Sequence, residues 1–226
     1  KEFVELKEGE WVNKKMTILF SDIRDFTTLC EEHEPEESFQ FIQSFIAEVW
    51  QPAIFKHHGI VDKYIGDAVM AFFFDEEQAF QGIQAANEIL LNLKKYNARF
   101  PQQPPVEVGI GLNTGEVTVG SLGTTKHFSV SSIGDHVNMT SRVEVLTKTY
   151  GSSLLISENT YYSLEKHIHQ FEVRQVDYIA LRGKKEYIAI YEVLSPHDPT
   201  SQHKKNYHSL YEHAFLNYAG GNLGMA

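Results

Sequence analysis

Hydrophobic positions divide this chain into short apolar runs and longer amphipathic stretches. Met16-Thr17-Ile18-Leu19-Phe20 ends at the polar Ser21-Asp22 and predicts a buried strand that delivers Asp22 to its C-terminal edge. From Glu36 to about His57, Phe39, Ile42, Ile46, Val49, Trp50 and Ile54 recur at three- and four-residue spacing. That spacing predicts an amphipathic helix, which Gly59 stops. Ile60-Val61 and Ala68 to Phe74 read as two strands of a hairpin with a tight turn at Gly66-Asp67. Phe80, Ile83, Ala86, Leu90 and Leu93 mark a second helix, and Pro101, Pro104 and Pro105 a loop after it. Val106 to Leu112 and Glu116 to Val119 read as two strands separated by Asn113-Thr114-Gly115. A helix over Asp135 to Tyr150, a strand at Leu154–Ile156 and a short helix from Ser157 follow. Strands near Phe171–Val176 and Tyr187–Val193 complete the pattern, an α+β arrangement with helices packed on one sheet.

The composition narrows the classes of function. At 226 residues the chain suits one domain of about 150–200 residues with extensions. Residues 14–195 read as that domain, 1–13 as an N-terminal connector and 196–226 as a C-terminal connector or tail, mobile or partly helical. With 20 Lys+Arg against 30 Asp+Glu the formal charge is −10, which argues against nucleic acid as the partner. A polyphosphate ligand would need local basic side chains or metal ions. Cys30 is the only cysteine, so there is neither a disulfide framework nor a CxxC zinc site, and a cytoplasmic setting is expected. No apolar run approaches the ~18 residues of a membrane span. The start at Lys1 rather than Met suggests a piece of a longer protein.

Four segments could carry chemistry. Asp22 and Asp67 each follow an apolar strand, and carboxylates at strand ends bind hard divalent cations such as Mg²⁺ well; singly, each also reads as a turn residue or cap. Lys63 stands four residues before Asp67, and a lysine among apolar strands and carboxylates needs a partner or a ligand. In Ser131-Ser132-Ile133-Gly134-Asp135-His136-Val137-Asn138-Met139-Thr140-Ser141-Arg142, Asn138 and Arg142 share one helix face and could direct donors at a phosphate or ribose; by themselves they also read as a solvent-facing polar pair. Leu181-Arg182-Gly183-Lys184-Lys185-Glu186 is a basic turn between strands. There is no GxxxxGK[ST] loop, and Gly109-Ile110-Gly111-Leu112-Asn113-Thr114-Gly115 misses the dinucleotide fingerprint because its third glycine comes one residue late.

In order, spacing and identity these segments resemble the catalytic domain of the class III nucleotidyl cyclases, and more closely the bacterial adenylate cyclases. The resemblance runs from about Lys14 to Leu194. It implies a ferredoxin-like βαββαβ core that works as a dimer. It further implies conversion of ATP to 3′,5′-cyclic AMP and pyrophosphate at the homodimer interface, as the output module of a larger sensor protein. Asp22 and Asp67 would then hold two divalent cations, Mg²⁺ or Mn²⁺, assisted by the backbone carbonyl of Ile23. Lys63 and Ser131 would select the purine, Asn138 would orient the ribose, Arg142 would stabilise the transition state and Lys184 would grip the terminal phosphates.

Three positions depart from the pattern. Asp25 stands where Gly or Asn is frequent, Ser131 where Asp or Thr is common, and Glu116 where some members carry a phosphate-binding Arg. The chemistry at position 63 favours adenine: an ammonium donates to N1, whereas guanine presents N1–H and calls for an acceptor such as Glu. The rival readings are a guanylate or relaxed-specificity cyclase and a catalytically silent nucleotide-binding regulatory domain. Retention of Asp22, Asp67, Asn138 and Arg142 together speaks against the silent domain.

Overall fold

The computed structural model describes residues 10–31, 34–124, 127–180, 187–198 and 201–221. In chain order the elements begin with β1 (Trp11–Ile23), α1 (Phe26–Glu31), α2 (Pro35–Phe45), a π-helical turn (Ile46–Trp50) and α3 (Gln51–Lys56). The hairpin β2 (Ile60–Ile65) and β3 (Ala68–Phe73) leads into α4 (Gln78–Asn97), β4 (Val108–Thr124) and β5 (His127–Ile133). Then come α5 (Asp135–Thr149), β6 (Leu154–Ser157), α6 (Glu158–Ser163), a 3₁₀ turn (Glu165–Gln170), β7 (Val173–Ala180) and β8 (Tyr187–Val193). Two helices, α7 (Ser201–Asn206) and α8 (His208–Ala219), end the described chain. The strands form one mixed sheet in the order β2-β3-β1-β4-β6-β8-β7, with β5 paired to the far end of β4. This is the expected α+β class.

The sheet separates two apolar layers. One face carries Leu19, Val69, Phe73, Ile110 and Leu112 and packs against α2–α4 through Phe45, Trp50, Ile54, Ile83 and Ile89, all fully buried. The other face receives α5, whose Met139 and Val143 join Leu155, Val176 and Ile190. Among the described residues no helix is long and apolar enough to cross a membrane.

Several local expectations change. The long helix predicted to end near His57 is interrupted at Ile46–Trp50, where the Gln51 N–H reaches back to the Ile46 carbonyl, five residues away. Pro52 follows directly, and the wider turn accommodates a residue that lacks an N–H and crowds the preceding turn. At its end the left-handed residue is His58 (φ 62°), not Gly59. Gly59 is needed for closeness instead, because a Cβ there would lie 2.6 Å from the Phe73 ring.

The largest correction concerns Asn113-Thr114-Gly115, which forms no break: β4 runs unbroken for 17 residues, paired with β1 from Val108 to Gly120. Its turn-like residues are satisfied internally. Asn113 and Thr114 are almost wholly buried, and the Thr114 hydroxyl bonds those of Thr17 (2.8 Å) and Thr160 (3.1 Å). Strand β5 is a further element beyond those predicted, although Phe128 and Val130 alternate with His127, Ser129 and Ser131 as a half-buried strand would.

The segment expected as a mobile or partly helical connector forms α7 and α8, which dock on the sheet end. The Lys204 ammonium donates to Glu192 (2.5 Å) and to the Gly151 carbonyl (2.7 Å), while Arg174 pairs with Glu192 and lies over the Tyr211 ring.

Candidate active site

Asp22 lies at the end of β1, opposite Ala68 of β3 and Gly109 of β4. Asp67 occupies the β2–β3 turn, where Gly66 takes φ 61°, a conformation that glycine adopts without a steric penalty. The Ile23 N–H donates to the Asp67 carbonyl (3.1 Å), which ties the turn to the end of β1. Asp22, Ile23 and Asp67 are thereby brought to one end of the sheet, the three positions that the family resemblance grouped. On the opposite face, Ser21 accepts from the indole N–H of fully buried Trp50 (3.1 Å), so the strand end is anchored from behind.

The electrostatics of this edge are unfavourable in the free chain. Burial, then repulsion from Asp67, raises the Asp22 carboxyl to about 6, against a partial offset from Arg24. A second acid, which the motifs do not mark, interacts with this pair. Glu144 on α5 is 9% exposed and lies over Gly109, the residue paired with Asp22. Burial, then Asp22, pushes Glu144 up to about 7. Its signal was available: with Thr140 and Thr147 it forms a stripe on the face of the helix opposite Asn138 and Arg142. The Arg24 guanidinium stands beside this group and donates to the Ser152 carbonyl (2.9 Å). Asp25 has φ 53°, which explains why Gly or Asn suits its position, and pairs with Lys148 (2.9 Å).

An acid whose folded pKa lies above its unfolded value favours folding only while protonated. The penalty from Asp22 and Glu144 is therefore absent below about pH 4 and complete above about pH 7. The thermal midpoint of metal-free Asp22→Asn/Glu144→Gln protein, relative to wild type, should rise across that window and level off above it. A difference that is flat with pH would contradict the placement of these two acids.

Lys63 is less enclosed than its sequence context suggested. Its side chain is 39% exposed and pairs with Asp62 (3.2 Å), which is itself 6% exposed. The same Asp62 oxygen accepts from the Ser132 hydroxyl of β5 (3.4 Å). Asp62 is thus the partner that the lysine required, and it also brings β2 up to β5. Ser131, opposite Gly120 in the β4–β5 ladder, is the neighbour of this contact. Lys184 lies outside the described residues.

Asn138 and Arg142 are exposed on the outer face of α5, and neither makes a side-chain hydrogen bond or ion pair with another described residue. The charged groups that interact with Asp22 are Asp67, Arg24 and Glu144. Within one chain, then, the carboxylate pair and the Asn–Arg pair remain apart. Glu116, also exposed, supplies no positive charge.

Residues 11–194 match the adenylate and guanylate cyclase catalytic domain model, and the chain belongs to that family. An adenylate cyclase of Anabaena cylindrica is 38% identical over 195 residues, covering 83% of this chain and 38% of that protein. The chain spans well under half the length of the curated relatives it matches. The crystal structure of the adenylyl cyclase CyaB from P. aeruginosa superposes with a TM-score of 0.67 at 31% identity, covering 81% of this chain and 95% of that one. A guanylyl cyclase crystal structure superposes with a TM-score of 0.71 at 28% identity, covering 83% and 95%.

Proposed function

We propose that this domain is an adenylate cyclase, converting ATP to 3′,5′-cyclic AMP and pyrophosphate in a homodimer, as the output module of a larger sensor protein. The observation that carries the reading is the pairing of Asp22 with Asp67 beside the Ile23 backbone, two mutually repelling carboxylates at one edge of the sheet. Among the described residues no group of three or more His, Cys, Asp or Glu could enclose a metal ion. Two carboxylates, a backbone carbonyl and the phosphates of a substrate form an all-oxygen set of the kind that suits Mg²⁺. Bound there, two divalent cations would lower the pKa of the 3′-hydroxyl and neutralise charge on the phosphates.

The chain's own side chains do the rest. Arg142 donates to oxygens of the α-phosphate as charge redistributes during in-line attack by the 3′-hydroxyl, while Asn138 holds the ribose. Both are exposed on α5 and separate from the carboxylates of their own chain, which favours a site completed by a second copy. Lys63, held at the β2–β5 contact by Asp62, donates to adenine N1, and Ser131 accepts from the 6-amino group. Lys184 grips the terminal phosphates.

Base choice provides the test. Lys63→Glu combined with Ser131→Cys reverses donor and acceptor polarity at the base edge, where a lost or unpaired contact costs about 1–3 kcal/mol. The ratio of ATP to GTP turnover should fall by about tenfold or more in the double variant. An unchanged ratio would falsify the pocket placement.

A further inference from the structure

Strand β4 presents Gly109, Gly111, Asn113 and Gly115 on one face, and α5 lies directly on that face. A Cβ on Gly109 would meet the Glu144 carboxylate and the Thr147 hydroxyl, one on Gly111 would meet the Glu144 backbone, and one on Gly115 would meet the His136 ring. Asn113 is therefore the one side chain of that four-residue alternation, and it is fully buried. Its amide donates to the His136 carbonyl (3.0 Å) and lies 3.3 Å from the His136 Nδ1. Its carbonyl oxygen accepts from the Ser157 hydroxyl (2.7 Å) at the end of β6. Ser157 neighbours Thr160, which closes a polar chain through Thr114 to Thr17 on β1.

His136 occupies the first turn of α5, two residues before Asn138 and six before Arg142. Its carbonyl also accepts from the Thr140 hydroxyl one turn on (2.7 Å), so Asn113 is not that carbonyl's sole partner. What Asn113 adds is the register of that helix on the sheet. A glycine track offers smooth contact and little resistance to sliding, whereas a buried amide bonded on both sides resists it.

We propose that Asn113 is a positioning residue for cyclisation: it fixes α5 against β4 and β6 so that Asn138 and Arg142 are held at a constant height above the sheet. The inference rests on the cyclase reading. Small misplacements of groups that act on a transition state lower rate by as much as about 100-fold with little effect on ground-state binding.

The test compares Asn113→Ala and the milder Asn113→Ser with wild type and with Ile83→Val, a core truncation on α4 remote from α5. All are assayed below their thermal midpoints, with hydrogen exchange followed in parallel over residues 135–142. The expected result for the Asn113 variants is a kcat lowered tenfold or more, a KM for ATP within threefold, and faster exchange confined to the start of α5. Ile83→Val should keep its kcat despite a lowered midpoint. A kcat within twofold of wild type overturns the proposal, as does a loss matched by Ile83→Val or failure of both Asn113 variants to fold. If wild type forms no cyclic product, the cyclase reading fails by itself, while unchanged exchange in the variants would refute the positioning role separately.

Discussion

Replacing either Asp22 or Asp67 by Ala is expected to lower cyclase turnover by about 10²–10³-fold or more, with the fold intact. The size follows from the several kcal/mol of charge stabilisation that bound cations supply, each 1.4 kcal/mol of which is about tenfold in rate. Loss of the fold is not expected, because the two carboxylates repel each other in the free chain and burial already disfavours the charge on Asp22. Asp22→Ala should therefore leave the thermal midpoint unchanged or slightly higher without metal, while abolishing the midpoint rise on adding Mn²⁺. Near-normal turnover in either variant would show that the residue is not a metal ligand.

Arg142→Ala should fail as severely, for a different reason: removing one directed donor to developing charge costs about 3–4 kcal/mol. Because Arg142 is exposed on the face of α5 opposite Glu144, the acid that packs over Gly109 beside Asp22, the two lesions should complement one another. In a mixed dimer of Asp22→Ala and Arg142→Ala chains, one site collects both defects and the other receives neither. Random pairing of equal amounts makes half the dimers mixed, with half of their sites intact, so about one quarter of wild-type activity should return. Co-expression with two tags would isolate the mixed species. Activity no greater than the sum of the parents would place each site within one subunit.

What the hydrophobic pattern disclosed, and what it hid, has a physical basis. The end of β1, the β2–β3 turn and α5 were legible because each joins a strong apolar period to a polar residue at its edge. Asn113-Thr114-Gly115 misled because turn-forming residues are also used where a strand must pass beneath a helix or across a buried hydroxyl chain. Their partners, Thr17, Ser157 and Thr160, lie 44 to 97 residues away in sequence. Strand β5 is short and weakly apolar: Phe128 and Val130 alternate with polar neighbours over only a few residues, and its place comes from pairing with β4 and from the Ser132–Asp62 contact. Glu144 was hidden by its type, since an acid on a helix is ordinarily read as solvated. Asp62 carries no mark in the sequence, because an aspartate beside a lysine on a strand is ordinarily solvated; its burial comes from the β2–β5 contact, where it holds Lys63.

The most direct test of the whole reading is product identity. Purified protein incubated with Mg²⁺ or Mn²⁺ and equal concentrations of ATP and GTP should yield 3′,5′-cyclic AMP and pyrophosphate in equal amounts, identified by mass, with cyclic GMP a minor species. Cyclic GMP as the main product would contradict the assignment of the base pocket, and no cyclic nucleotide with either metal would contradict the cyclase reading itself.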